Sequence, residues 1–176
     1  YKDNENIEII GLHSHIGSQI FSKEAFIDEV DEMIYLLKEI KTKREDINLL
    51  ELNLGGGFGI YYTEEDSPTS IEEQVGSIVD RVKYNCEKFN MKIPKLYIEP
   101  GRSIVGNAGT TLYEIGVIKE ISGIRNYVSV DGGMTDNIRP ALYDAKYECL
   151  IENKARFERN YKSTISAKCG DSGDCI

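Results

Sequence analysis

Three short apolar runs, at residues 7–12, 49–54 and 95–98, alternate with two long stretches whose apolar residues recur every three or four positions. That alternation constrains the fold more than any other feature. Phe26, Val30, Met33, Ile34 and Leu37 form the first helical stripe, and Ile71, Val75, Ile78, Val79, Val82, Cys86 and Phe89 form the second. Ser70 with Glu73 three residues later reads as a capping box at the head of the second stripe. The order is therefore β-α-β-α-β, and strands joined through helices pair in parallel. Beyond Gly109 the texture changes to β-branched residues and Tyr, at 110–121 and 127–130, with turn sequences SGIRN and DGGMTDN. A second, β-rich domain is expected there. Residues 138–143, which include Pro140, predict a short helical turn. Residues 147–151 and 161–167 predict further strands, and the charged stretch 152–160 predicts an exposed connection.

Charge removes several function classes. The 176 residues carry 21 Lys and Arg against 30 Asp and Glu, a formal net charge of −9, so nucleic acid and acidic membranes are poor partners. No apolar run approaches the roughly 18 residues of a membrane span, and YKDNENIEII lacks the blocks of a signal peptide, so a cytoplasmic protein is expected. Cys86, Cys149, Cys169 and Cys175 contain no CxxC pair and give neither a disulfide framework nor a zinc knuckle. The chain starts without Met and ends on GDSGDCI, which reads as the beginning of a strand, so a fragment of a longer protein is expected.

The chemistry concentrates where the first three strands end: HSHIGS at 13–18, GGGFG at 55–59 and EPGR at 99–102. In parallel α/β folds that edge binds ligands. Gly55, Gly56 and Gly57 suit either a phosphate cradle, with bare amides and a helix N-terminus behind them, or simply a tight turn needing positive φ. The run matches neither GxGxxG nor the P-loop. His13 and His15, the only histidines, share one face if both lie on a strand. As a zinc pair they lack a spaced third ligand; as packing residues they need only hydrogen bonds, and His15 at the strand end also suits stacking on a planar ligand. Glu99 suits a protonated ring nitrogen and Arg102 a phosphate or carboxylate, although neighbouring Glu and Arg also form ordinary loop-end salt bridges. A glycine cradle beside this pair suggests a ligand with a phosphate at one end and a basic heterocycle at the other, the shape of pyridoxal phosphate.

GLHSHIGSQI, LNLGGGFGI, IEPGRSIV, VDGGMTDNIRPALYDA and the terminal SGD together resemble the diaminopimelate decarboxylases, members of the alanine-racemase-like pyridoxal phosphate enzymes that include ornithine and arginine decarboxylases. The likeness covers nearly the whole chain, and NIRPALYDA favours the diaminopimelate enzymes over their ornithine-specific relatives. It implies an α/β fold: the C-terminal part of a TIM-type (β/α)8 pyridoxal-phosphate-binding barrel over 1–104, then part of a β-rich sandwich or barrel domain over 105–176. It implies a carboxy-lyase that converts meso-2,6-diaminopimelate to L-lysine and CO2, the last step of lysine biosynthesis. Ornithine or arginine decarboxylation and a non-catalytic cofactor-binding homologue are the alternatives within the family; a zinc hydrolase using His13 and His15 is the one outside it.

Residue by residue, the resemblance has His15 stack on the cofactor ring, Ser18, Gly55, Gly56, Gly57, Gly101 and Arg102 hold its phosphate, and Glu99 pair with the pyridinium nitrogen so that the ring acts as an electron sink. Arg139, Tyr143 and Asp171, with Arg102, would bind the amino-acid substrate. No metal is implied. The family's Schiff-base lysine lies upstream of the part represented here, so the isolated chain is expected to be inactive. The family's Cys-Glu-Ser-Gly-Asp motif appears here as Cys169-Gly170-Asp171-Ser172-Gly173-Asp174. Alignment on Ser-Gly-Asp puts Gly170 at the proton donor's place and Cys169 one residue away. In a strand that shift reverses the face, so Cys169 could be the donor only across a bulge, and is otherwise a small buried residue. A homodimer with composite active sites is also implied.

Overall fold

The computed structural model describes residues 4–169 and 173–175. The chain divides into two compact units, residues 1–61 with 66–109, and residues 62–65 with 110–176.

In the first unit, strands β1 (Gly11–His13), β2 (Glu51–Asn53) and β3 (Lys95–Tyr97) form a parallel sheet in that order. Helix α1 (Lys23–Lys43) links β1 to β2, and α2 (Ile71–Lys88) links β2 to β3. Both helices start where serine can cap them: Ser22 Oγ accepts from Ala25 N at 3.3 Å and Ser70 Oγ from Glu73 N at 3.2 Å. The second box closes only halfway, because the Glu73 carboxylate pairs with Lys23 Nζ at 3.0 Å instead. The two apolar stripes face one another and the sheet: Phe26, Val30, Ile34, Leu52, Leu54, Phe58, Ile78, Val82 and Cys86 form one buried cluster. Phe26 stacks on Phe58 with ring centroids 4.9 Å apart. Above the cluster Asp31 receives Arg81 through both Nε and Nη2, at 2.6 and 2.5 Å, and Asn85 Nδ2 at 2.7 Å, tying α1 to α2. Leu12, Leu52 and Leu96 lie in register and point into the cluster. The alternate residues of each strand, His13, Asn53 and Tyr97 among them, therefore take the other face.

After Tyr97 the chain turns through Pro100 into a four-residue helix, α3 (Arg102–Val105), and a 3-10 turn at Gly106–Ala108. Residues 105–109 stay with the first unit, where Gly106 lies against Ile60.

In the second unit β4 (Ile115–Ile121) and β5 (Arg125–Val130) form an antiparallel hairpin, and β6 (Thr164–Ser166) joins β5 in parallel. The SGIRN turn closes the hairpin with Gly123 at φ +73°. Between Ile115 and Ile118 the register shifts, and Ser129 Oγ repairs the gap by accepting from Val117 N and donating to Val117 O, at 2.7 and 3.0 Å. Helix α4 (Arg139–Tyr143) occupies the expected turn. Residues 147–151 are not a strand: the alternation is present, but no strand pairs with it among the described residues. The connection at 152–160 is exposed and includes a 3-10 turn at Glu152–Lys154.

Candidate cofactor site

Parallel register sets His13 beside Asn53 and Asn53 beside Tyr97, so the three polar clusters leave the sheet side by side. Backbone bonds stitch them together just beyond the strands. Ser14 N donates to Asn53 O at 2.9 Å, Leu54 N to Tyr97 O at 3.1 Å, and Glu99 N to Gly55 O at 2.6 Å. The glycines are what lets the loops close this far. Gly55 has φ +63°, and a Cβ there would sit 2.6 Å from Ser14 O; a Cβ on Gly56 would sit 2.2 Å from Glu99 O. The tight-turn reading and the cradle reading are thus both met in one loop. The expected bare amides are corrected at two positions, since Gly55 N donates to Asn53 Oδ1 at 2.9 Å and Gly56 N to His15 Nδ1 at 3.1 Å. The expected helix dipole behind the loop is absent too, because α2 begins only at Ile71.

His15 lies beyond the strand that His13 closes, so the two histidines do not share a strand face and have different partners. Nδ1 of His15 accepts a backbone N–H, which requires a lone pair there and leaves Nε2 as the protonated ring nitrogen. The ring is otherwise exposed. His13 Nε2 stands 3.6 Å from Glu99 Oε1, and both side chains are half-exposed rather than packed. Asn53 Nδ2 donates to the same Glu99 oxygen at 2.7 Å and so aims the carboxylate. Among the described residues no three His, Cys, Asp or Glu side chains gather closely enough to hold a metal ion.

The cationic end is built by Arg102, whose Nη2 donates to Ser18 Oγ at 2.7 Å and Nη1 to Gln19 Oε1 at 3.2 Å. Gln19, at φ +59°, is fixed in turn by Ile60, through Nε2 to the carbonyl at 2.6 Å and from the amide at 3.2 Å. Asn53 and Gln19 are the residues that sequence reasoning missed. An Asn just before a glycine turn carries a recognisable tendency to bond the backbone two residues on; nothing local marks Gln19. Gly101 caps α3 with open space around it.

The remaining expected site residues belong to the second unit. Arg139 Nη1 donates to Tyr147 Oη at 2.7 Å, and its guanidinium lies over the rings of Tyr62 and Tyr147, at 5.6 and 5.9 Å. Tyr143 is 70% exposed. Cys169 sits in a turn after β6 with its side chain exposed, so neither the strand-face argument nor the buried-residue reading applies to it. Asp174, only 3% exposed, accepts from Met134 N at 2.7 Å and from Cys169 N at 2.5 Å. Those amides, Met134's first, hold the Asp174 carboxyl below the usual range, and Asp174 in turn pushes the Cys169 thiol up. Gly170 and Asp171 lie outside the described residues.

Residues 1–106 match the family model of the pyridoxal-dependent decarboxylases, pyridoxal binding domain. The chain belongs to this family. Among its relatives, the diaminopimelate decarboxylase of Bacillus methanolicus is 49% identical over 170 residues, which is 97% of this chain and 39% of the relative. That of Bacillus subtilis (strain 168) is 47% identical over 173 residues, 98% of this chain and 39% of the relative. The crystal structure of the M. jannaschii diaminopimelate decarboxylase in co-complex with L-lysine superimposes with a TM-score of 0.82 at 30% identity, over 99% of this chain and 39% of that one. The chain thus spans about two-fifths of the length of the curated relatives it matches.

The decarboxylase family's pyridoxal phosphate can be tested against this donor set. The strand ends offer an exposed imidazole, a carboxylate aimed by Asn53, and a guanidinium beside a hydroxyl, around glycines that admit no side chain. An aromatic ring, a ring nitrogen and a phosphate are what such groups bind, and the residues fit the cofactor. Among the described residues no helix is long and apolar enough to cross a membrane.

Proposed function

We propose that the whole protein carrying this chain decarboxylates meso-2,6-diaminopimelate to L-lysine and CO2 in the cytoplasm, the last step of lysine biosynthesis. The similarity to diaminopimelate decarboxylases over nearly the entire chain carries the choice of substrate. The clustered strand ends support the cofactor. In this reading the first unit forms the later strands of a (β/α)8 barrel and the second part of a β domain, with the change at Gly109 rather than at the expected 104–105, and two copies pair to complete each other's sites.

Arg102 and Ser18 would hold the phosphate, with Gly101 leaving open space beside them and the Gly55, Gly56 and Gly57 loop packing the strand ends closely enough to form the cradle. Glu99, aimed by Asn53, would pair with the ring nitrogen and favour its protonated form. His15 would stack on the ring. When bound, the cofactor supplies an electron sink for the pair left behind as CO2 departs. Arg139, Tyr143 and Asp171, with Arg102, position the substrate's carboxylates and distal amino group. A proton donor must carry its proton until it is needed, and Asp174 favours this at Cys169 by keeping Sγ a thiol. Cys169 is therefore the proposed donor. The family's cofactor-anchoring lysine is not matched by a motif in these residues, and residues 1–176 alone should not turn over.

Decarboxylation by the whole protein with added pyridoxal phosphate tests the proposal. Lysine and CO2 in equal amounts from meso-diaminopimelate, with ornithine and arginine turned over far more slowly, is the expected result. Preference for ornithine or arginine would reassign the substrate. A bound cofactor with no product from any of the three would leave a binding protein.

A further inference from the structure

One buried ionisable group has no part in the scheme above. Glu29, in the second turn of α1, is 5% exposed and sits beside Phe26, Val30 and Met33 in the apolar stripe. Its Oε1 accepts from Ser14 Oγ at 2.5 Å, while its Oε2 is buried with no hydrogen-bond partner among the described residues. Burial pushes the Glu29 carboxyl up; the Ser14 hydroxyl and then His15 and His13 pull against it. An apolar side chain here would join the stripe without stranding a carboxylate oxygen, so packing alone gives no reason for a carboxylate at this position.

Its one partner suggests what does. Ser14 stands between the two histidines and is held from two sides, by its amide on Asn53 O and by its hydroxyl on Glu29. Its carbonyl lies against Gly55, at the point where the glycine loop meets His15. Among the described residues the ring of His15 is held by the Gly56 amide on Nδ1, a bond that depends on where the 14–15 backbone sits. A small shift of Ser14 would break it and free both the ring's tilt and its tautomer.

We infer that Glu29 is a positioning residue for His15, acting through Ser14: the Ser14–Glu29 bond locks the loop so that His15 keeps its Nδ1 on Gly56 N and presents an oriented ring to the cofactor. The purpose rests on the cofactor reading above; the lock itself does not.

The test uses the whole protein, first without cofactor. The ring nitrogen signals of His15, assigned by their loss in His15→Gln, should show the single Nε2–H tautomer. In Ser14→Ala and Glu29→Met they should change to a tautomer mixture, and the Kd for added pyridoxal phosphate should rise about tenfold, as expected for a lost positioning hydrogen bond. Glu29→Gln keeps the acceptor and should stay within about twofold of wild type. A merely structural Glu29 would lower Tm and leave the ring signals alone, whereas here Glu29→Met should keep Tm or raise it. Unchanged His15 signals in Ser14→Ala, the milder variant, overturn the inference. The ring signals are read without substrate, so failure of the whole protein to release lysine would count against the proposed function and leave this result standing.

Discussion

The two units are held together by different means. Every fully buried apolar side chain among the described residues belongs to the first, from Phe26 and Leu37 to Ile78 and Cys86. In the second, Val117, Ile124, Leu142 and Phe157 are all mostly exposed, and the most buried side chain is a carboxylate, Asp174. The first unit is a packed core whose loops can therefore be held to ångström tolerances. The second relies on a hairpin ladder and on one acid that clips the 131–137 turn to the turn carrying Cys169. The residues proposed to grip a rigid cofactor sit on the first kind of support, and those proposed to meet a substrate and deliver a proton sit on the second.

The contrast can be broken most forcefully at Phe26. Phe26→Ala in the whole protein should cost about 3–5 kcal/mol in a denaturant melt, since a stacked, fully buried ring is removed from the core. A loss below about 1 kcal/mol would mean that packing does not hold this unit.

The clip in the second unit should respond to acid. The Asp174 carboxyl is held below its ordinary value, so its contribution is complete above about pH 4 and is lost as the pH falls through its lowered folded value. The amide signals of Met134 and Cys169 should titrate together with a midpoint below the ordinary 3.9 or so, and Asp174→Asn should abolish that step. Independent titration of the two amides would show that no single acid joins the turns.

The smallest effect is expected on the exposed strand. Val117→Thr should change stability by no more than about 0.5 kcal/mol. A cost of about 2 kcal/mol would reveal that another surface covers β4 in the whole protein.

What the sequence made legible follows the same division. Long-period stripes, the Ser22 and Ser70 caps and the order of parallel strands are local patterns backed by burial, and α1, α2 and the sheet appear where those patterns lie. The three strand-end clusters were legible because a parallel sheet must bring them to one edge. Asn53 and Gln19 were not, since their roles depend on Glu99 and Arg102, residues distant in sequence. Residues 147–151 misled for the converse reason: alternation offers a strand, but only a partner's backbone makes one. The half-closed box at Ser70 is a tertiary override, with Lys23 outcompeting the helix's own amide for Glu73.

The ends of β1, β2 and β3 are proposed to form a pyridoxal phosphate site anchored by Arg102. Titrating the cofactor into the whole protein, followed by its visible absorbance, tests that most directly. Saturation near one equivalent in the wild type and a Kd at least about tenfold weaker in Arg102→Ala are predicted, the loss of a charge-assisted bond. Equal affinity in the two proteins would show that Arg102 does not anchor the cofactor.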